Sequence, residues 1–348
     1  MNDRFQSPVS GAILAAVIGW VLFVGKAVFI PIILGALVAY VIVGLARLLG
    51  RIPFIGPILP SRIRSALSVL VIAYGLVAIS NLILANVDSV LALAPQYQES
   101  LLAVIQRTAV FFHIETEPTW TTLRRDLVGQ ISMQPLIGSI VASVSAIAVM
   151  VIVVLLYASF LLVELRSFDA KIAAMSNDQR SIDRTRKVAA DINSRIGAYL
   201  ALKTFVSALL GVTSWIAMAF MGLEFAAFWA VLIALLNYIP YIGSFLGVLF
   251  PLMMAIVQFA NPNDVLAVLL PLIALQFAIG NFLDPYIMGN SLNLSPFAIL
   301  VSLAAWSALW GIPGAFLAVP ITAIMAIVFS AFAGTRPIAI LLSRDGRL

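Results

Sequence analysis

The chain has 348 residues, of which 63% are hydrophobic and 10% are charged, with a net charge of +5. A soluble domain usually carries about a quarter charged residues, so this composition excludes a soluble enzyme, a nucleic-acid-binding domain and a disordered scaffold. It predicts an all-α polytopic membrane protein whose first partner is the lipid bilayer. There is no cysteine and a single histidine, His113, so we expect no disulfide, no metal and no cofactor.

Five apolar stretches are predicted to be membrane spans, because a helix needs about 20 apolar residues to cross about 30 Å of hydrocarbon. They are residues 9–25, 27–46, 65–87, 136–163 and 197–222. The first stretch has no small-residue cleavage site after it, so we interpret it as a retained span and not as a signal peptide. The segments 88–135 and 164–196 carry apolar residues at helical spacing and are predicted to be amphipathic helical segments.

Loop charges predict the orientation. The connection between the second and third spans holds four arginines and no acid, so it is expected on the cytoplasmic side. Residues 88–135, with five acids and three bases, are expected outside the cytoplasm, whereas residues 164–203, with eight bases and five acids, are expected inside. The tail 336–348 is basic. Both termini are therefore predicted to be cytoplasmic, with residues 1–87 forming the N-terminal spans and 197–335 the C-terminal transport core.

Two uncharged stretches in the C-terminal core are too long to cross once as straight helices. Residues 225–259 would make a helix of about 53 Å, and residues 296–335 are longer still. The first can break between Asn237 and Gly243, around Pro240. The second can break between Trp310 and Gly314, with Pro320 as a further interruption. Freed backbone groups must be buried in protein or line a cavity, and paired broken segments of this kind point to a transporter binding site.

Each broken stretch can be a helical hairpin or a single kinked crossing, and both solutions leave the tail in the cytoplasm. The loop 261–264 is acidic and has no base, which favours the hairpins. The predicted fold therefore has about eight membrane segments, two of them Pro/Gly-broken helical-hairpin or re-entrant segments.

Structural explanations compete with a site at each residue near the breaks. Asp264 can cap the helix 265–283, and Asp284 with Pro285, or Ser295 with Pro296, is typical of a helix start. Trp306 and Trp310 can be packing anchors. It is the concentration of these residues around two forced breaks that favours a site.

Several segments of the chain resemble one family of membrane proteins. They are the run from Asn281 through Asp284 and Pro285 to Gly289, residues 292–296, residues 306–314, residues 317–323, the upstream run 236–243, and residues 31–40 in the second span. Together they resemble the autoinducer-2 exporter family, also called the PerM-like permeases, over almost the whole chain.

The resemblance implies a transporter of about eight membrane segments in the bacterial cytoplasmic (inner) membrane that forms homo-oligomers. One function described in the family is export of the quorum-sensing signal autoinducer-2. Other members look like sodium or lithium/proton antiporters, and many have no assigned substrate. The position of Asp284 is typically acidic in the family, whereas Glu224 matches no acidic signature.

The leading hypothesis is a secondary transporter of a small polar metabolite, with an autoinducer-2-like signal as candidate. The residues we predict to line its pathway are Asn237, Tyr238, Pro240, Tyr241, Gly243, Asn281, Asp284, Pro285, Gly289, Trp306, Trp310, Gly311, Gly314, Pro320 and Thr322. The absence of any base between residues 204 and 335 argues against a strongly anionic solute. Two alternatives remain open: a monovalent cation/proton antiporter that uses Asp284 or Glu224, and an accessory membrane protein without transport activity. No catalytic constellation or nucleotide-binding loop is present, so we expect no enzyme.

Overall fold

The computed structural model describes residues 3–51, 59–82, 85–86, 133–165, 167–175, 177–288 and 292–346. Its elements in chain order are α1 (Asp3–Val24), α2 (Lys26–Arg51), α3 (Ser61–Leu82), α4 (Met133–Glu164), α5 (Phe168–Ala174), α6 (Gln179–Phe220), α7 (Ala226–Leu236), α8 (Ile242–Phe259), α9 (Pro262–Ala278), a π-turn (Ile279–Leu283), α10 (Asp284–Met288), α11 (Pro296–Trp310), α12 (Ile312–Ser330) and α13 (Arg336–Leu342). Within these ranges the only β-type pairing is the bridge between Leu294 and Ser343.

Six helices in the described ranges are long and apolar enough to cross a membrane. They are Lys26–Gly50, Ser61–Leu82, Gln179–Phe220, Ile242–Phe259, Pro262–Ile287 and Ile312–Ser330, and the bent pair Ala148–Glu164 and Phe168–Ala174 could provide a seventh. Three further helices are apolar but shorter, namely Ile13–Val24, Ala226–Leu236 and Pro296–Trp310. The predicted all-α polytopic membrane fold is confirmed.

The helix α6 differs from the predicted segmentation. It runs without a break over 42 residues, through both the expected amphipathic segment 164–196 from Gln179 onwards and the expected fifth span. It contains no proline, so nothing forces the helix to stop where its composition changes from basic to apolar. At 1.5 Å per residue it is about 63 Å long, roughly twice the hydrocarbon thickness. The predicted segment 88–135 lies outside the described residues except for its last three, which begin α4.

The chain divides into two compact units. Unit 1 comprises Met1–Ile72, Ile152–Leu202 and Asn290–Leu348, and unit 2 comprises Ala73–Val151 and Lys203–Gly289. The predicted transport core 197–335 contributes to both units.

Unit 1 is held together by close helix contacts at small residues. A Cβ at Gly44 in α2 would lie 2.8 Å from the Cβ of Ala201 in α6, and one at Gly35 would lie 2.6 Å from the Cβ of Tyr157 in α4. Small residues let helix backbones approach closely, which is how apolar helices associate within a membrane.

Unit 2 has a core of buried apolar side chains contributed by α6, α7, α8 and α9. Its most buried members are Val206, Leu210, Met218, Ile233, Ala255, Val268 and Leu272. These residues recur at helical spacing along α6 and α9. The two helices thus present one packed face each to the α7–α8 pair.

Both broken stretches form helical hairpins, as the sequence predicts. In unit 2, Gly243 lies against the carbonyl oxygen of Leu236, and a Cβ at Gly247 would lie 3.6 Å from the Cγ1 of Ile233. Residues of α8 therefore contact residues of α7, which shows that the chain reverses between the two helices. In unit 1, Gly314 lies against the carbonyl oxygen of Trp306, and α11 packs along α12. The helices α8 and α12 have 18 and 19 residues, whereas α7 has 11 and α11 has 15, fewer than the roughly 20 of a full crossing.

Two of the three expected helix caps are wrong. Asn261, not Asp264, caps α9, because its side chain accepts a hydrogen bond from the Asn263 N–H and Pro262 follows it. Asp284 is not a cap, because the helix continues into it through the π-turn. The third is confirmed: the Ser295 hydroxyl accepts from the Ala298 N–H, with Pro296 at the first helical position.

Candidate functional site

A stripe of buried polar side chains runs along α6 within unit 2. Lys203, Ser207 and Ser214 have exposed fractions of 7%, 2% and 1%. Spacings of four and seven residues place them on one face of the helix. Because uncharged apolar side chains surround this face, a polar group on it is costly unless it has a hydrogen-bond partner, and such groups are often functional.

Lys203 forms an ion pair with Asp284. The distance from Nζ to Oδ2 is 2.8 Å, and the two side chains are 9% and 20% exposed. The other carboxylate oxygen, Oδ1, is buried and has no hydrogen-bond partner among the described residues. The pair therefore uses only part of the hydrogen-bonding capacity of the carboxylate.

The π-turn explains why Asp284 faces α6. The N–H of Asp284 donates to the carbonyl oxygen of Ile279, five residues earlier, so this turn holds one extra residue. Asp284 therefore has the angular position of a residue seven places after Gln276 in a regular helix. At about 100° per residue that is within about 20° of Gln276. Asp284 thus lies on the same face as Gln276 and Leu272, which is 1% exposed.

The tip of the α7–α8 hairpin is hydrogen-bonded to the polar face of α6. The hydroxyls of Thr204 and Tyr238 are 2.6 Å apart. The Asn237 side-chain amide donates to the Ser207 hydroxyl over 3.0 Å. Lys203 and Ser207 lie one turn apart on the same face of α6, so the ion pair and the hydrogen bonds of the hairpin tip involve the same stretch of this helix. We call Lys203, Thr204, Ser207, Asn237, Tyr238 and Asp284 the polar cluster.

Tyr241 has an unusual backbone conformation at the same tip. Its φ of 62° and ψ of −58° are rare for a residue with a side chain, and the Ile242 N–H donates to the Pro240 carbonyl oxygen over 2.7 Å. This is a tight three-residue turn, and such turns are strained. The ring of Tyr241 is 57% exposed, so packing does not impose the strain.

Asn281 is not drawn into the polar cluster. Its side chain is exposed and donates to the carbonyl oxygen of Phe277 in its own helix, over 3.1 Å. Pro285 is likewise on an exposed part of α10, and Gly289 lies outside the described residues. These three stay predicted pathway residues.

The remaining predicted residues belong to unit 1. The Trp310 indole is buried and donates to the carbonyl oxygen of Leu22 in α1 over 2.9 Å. Its ring also packs on Trp306, with centroids 5.1 Å apart. These contacts match the anchoring role that competed with the pathway role in the sequence.

Other predicted residues in unit 1 lie at positions where the backbone conformation or a close backbone contact restricts the residue type. Gly311 has φ 64° and ψ −138°, a conformation that is essentially restricted to glycine, and it forms the one-residue link between α11 and α12. Gly314 makes the close approach described above. Pro320 and Thr322 are buried within α12.

Glu224 lies far from the ion pair. It is in the turn between α6 and α7, where the Gln258 side chain accepts from the Glu224 N–H and donates to the Gly222 carbonyl oxygen. Lys203 and Phe220 are separated by 17 helical residues, or about 26 Å, and Glu224 follows Phe220. The two acids predicted as ion-coupling candidates therefore do not share a site.

The structure adds Lys203, Thr204 and Ser207 to the candidate site. The signal for Lys203 was its position as a lone charge inside a span, which typically marks function. Thr204 and Ser207 gave no signal, because hydroxyls are common in membrane helices. Among the described residues no group of three or more His, Asp or Glu side chains could hold a metal ion.

Comparison with known proteins identifies related sequences. The profile described as "AI-2E family transporter" matches residues 12–334. The chain is 30% identical over 249 residues to "AI-2 transport protein TqsA" of Escherichia coli K12, covering 72% of this chain and 71% of that protein. It is 28% identical over 278 residues to "Putative transport protein YhhT" of the same organism, covering 79% and 77%.

A further relative is more similar over a shorter region. A "Putative transport protein" of Borreliella burgdorferi is 38% identical over 180 residues. That alignment covers 51% of this chain and 49% of the relative, so the chain matches only about half the length of that protein.

Proposed function

The chain belongs to the AI-2E family of transporters, and we propose that it is a secondary transporter of a small polar metabolite. TqsA is named as an AI-2 transport protein, so an autoinducer-2-like signal is the leading candidate for the solute. The observation that carries the proposal is the polar cluster of unit 2, in which the helix that bears a buried ion pair is also hydrogen-bonded to the tip of a helical hairpin.

Each part of the cluster suits binding of a small hydroxylated solute. The Thr204–Tyr238 and Ser207–Asn237 pairs offer hydroxyl and amide groups, which can exchange partners with solute hydroxyls at little enthalpic cost. Aromatic faces at the tip, such as that of Tyr241, suit a sugar-like ring. The tip is irregular backbone between two apolar helices, which is where membrane transporters place substrate groups.

The test is transport by protein reconstituted into lipid vesicles. We expect Asn237→Ala to reduce flux of labelled autoinducer-2 at least about tenfold, because the hydrogen-bonding group that meets Ser207 is lost. The matched control is Asn263→Ala, which removes an exposed asparagine from the first turn of α9 and should leave flux unchanged. Equal flux in wild type and Asn237→Ala, with both proteins in the membrane, would contradict this site.

A second candidate function is cation/proton antiport. One observation favours it: the Asp284 carboxylate is only 20% exposed, and a buried carboxylate in an apolar helix is typical of an ion-coupling site. Reconstituted protein should then show sodium- or lithium-driven pH change that is lost in Asp284→Asn. A preparation that moves the solute without any response to these ions would remove this candidate.

The loop charges support a placement in the bacterial cytoplasmic membrane with both termini cytoplasmic. Single cysteines introduced on each side test this, because the native chain has none. A cysteine near Arg344 should react with an impermeant reagent only in inverted vesicles. The homo-oligomer implied by the family resemblance is tested by the mass of the detergent-solubilised complex.

A further inference from the structure

We infer that Lys203 and Asp284 form a charge filter: together they keep the transport site neutral, and each residue excludes solutes that carry its own sign. This inference names the charge class of the solute, and its role in transport rests on the proposed function. Lys203 becomes a specificity-determining residue. It is the base that directly precedes the base-free stretch 204–335.

Few charges are present in this part of the protein. The described residues of unit 2 contain four charged side chains, Lys203, Glu224, Asp264 and Asp284. Glu224 is in the turn before α7, and Asp264 is in the exposed first turn of α9, where it accepts from the Asn261 amide. Between these ends, the charges in the apolar part of the unit are the two that pair, and their sum is zero.

The ion pair leaves one acceptor of the carboxylate unused. Lys203 occupies Oδ2, whereas Oδ1 is buried without a partner among the described residues. When the transport site opens, a solute hydroxyl can donate to Oδ1 without breaking the ion pair. This meets the unsatisfied acceptor, which is otherwise costly in a low-dielectric setting.

The same geometry disfavours a charged solute. A cation near Oδ1 would also approach the Lys203 ammonium, and an anion near Lys203 would also approach the Asp284 carboxylate, because the two groups are 2.8 Å apart. Either ion would bring an unbalanced charge among apolar helices, where charge is costly unless paired.

Removal of one partner should therefore reverse the preference. In Asp284→Ala the ammonium of Lys203 loses its counter-charge, and a small anion can take the vacated place. In Lys203→Ala the carboxylate is left alone, and a small cation can take the place of the lost side chain. A pair with a purely structural role would also be destabilised by these changes but would have no reason to select solutes by sign.

The first experiment is chemical rescue of stability in purified, detergent-solubilised protein. Formate replaces the carboxylate removed in Asp284→Ala, and propylammonium replaces the aminopropyl group removed in Lys203→Ala. We expect each ion to raise the melting temperature of its own variant by about 3 °C at constant ionic strength. Formamide, wild-type protein and the exchanged ion–variant combinations are the controls. Equal effects of formate and formamide, or equal effects on both variants, would overturn the inference.

The second experiment measures flux in vesicles and uses the more conservative variants Asp284→Asn and Lys203→Met, in case the alanine variants do not fold. The probes are glucitol, gluconate and glucamine, which have similar size and differ in charge. Wild type should favour glucitol, Asp284→Asn gluconate, and Lys203→Met glucamine, with ratios changed at least about tenfold. An unchanged ranking would overturn the filter. If wild type moves none of the probes or autoinducer-2, the proposed function fails, while the rescue experiment still shows whether each half of the pair accepts an ion of the missing sign.

Discussion

Gly243 lies directly against the carbonyl oxygen of Leu236, so a Cβ at residue 243 would overlap that oxygen. The neighbouring Asn237 nitrogen would be 3.3 Å from the same Cβ. Both contacts are with backbone, which cannot turn aside as a side chain can. The reversal between α7 and α8, which presents Asn237 and Tyr238 to α6, therefore depends on glycine at this position.

We expect Gly243→Ala to destabilise the protein by about 1–3 kcal/mol, because the added methyl group must push the two helix ends apart. Thermal unfolding in detergent measures this change. Gly75→Ala is the matched control, since a Cβ at this helical glycine would meet none of the described residues within 4 Å, and it should be neutral or slightly stabilising. Similar melting temperatures for the two variants would contradict the close approach.

The second hairpin gives an independent version of this test. A Cβ at Gly314 would overlap the Trp306 carbonyl oxygen, so Gly314→Ala is expected to cost about 1–3 kcal/mol as well. Gly19→Ala in α1 serves as control, because no atom of the part of the chain that the structure describes would lie within 4 Å of its Cβ. A tolerated alanine at residue 314 would show that α11 and α12 can separate at their link without loss of stability.

The hydroxyl pair of Thr204 and Tyr238 should behave as a single interaction. Tyr238→Phe and Thr204→Val are each expected to cost about 1 kcal/mol of unfolding free energy, and the double variant should cost less than their sum. Thr213→Val is the control on the same helix, because the Thr213 hydroxyl bonds only to carbonyl oxygens of α6 among the contacts described. Strict additivity would show that the hairpin tip is not held by this bond.

Trp310 is expected to fix the end of α1. In Trp310→Phe the ring is retained but the bond to the Leu22 carbonyl oxygen is lost, at a cost of about 1 kcal/mol. Amide hydrogen exchange in the last turn of α1 should then become faster. Trp306→Phe, which removes no hydrogen bond described in the structure, should leave that exchange unchanged. Unaltered exchange in both variants would contradict the anchoring role.

The two asparagines of the predicted pathway separate two locations for the site. The sequence places Asn281 and Asn237 on one pathway, whereas the structure places the Asn281 side chain on an exposed face and Asn237 in the polar cluster. A vesicle flux assay on both variants decides between them. Loss of flux in Asn237→Ala alone locates the solute at the hairpin tip, and loss in Asn281→Ala alone locates it on the exposed face of the π-turn.

The hairpins could be predicted because they follow from length and backbone chemistry. An uncharged stretch of 35 or 40 residues cannot remain one helix across a bilayer, and Pro240, Gly243, Gly311 and Gly314 mark where it can turn. The helix cap at Ser295 was equally local, since a serine before a proline is a strong start signal.

Longer-range features could not be predicted from the sequence. The extra residue in the π-turn rotates Asp284 by about 100° relative to a regular helix. A 3.6-residue pattern in the sequence does not reveal this rotation. As a result, the sequence pattern around Asp284 is also typical of a helix cap, and nothing in it points to Lys203, 81 residues earlier in the chain. The continuity of α6 is equally hard to predict, because a change from basic to apolar composition does not mark the end of a helix.

The bridge between Leu294 and Ser343 has a practical consequence for anyone who labels this protein. The Ser295 N–H donates to the Leu342 carbonyl oxygen and the Arg344 N–H to that of Asn293, so main-chain bonds join the segment after α13 to the loop before α11. A fluorescent reporter fused directly after Ser343 would replace Arg344, whose N–H makes one of these bonds. Fusion beyond Gly346 through a flexible spacer should preserve it.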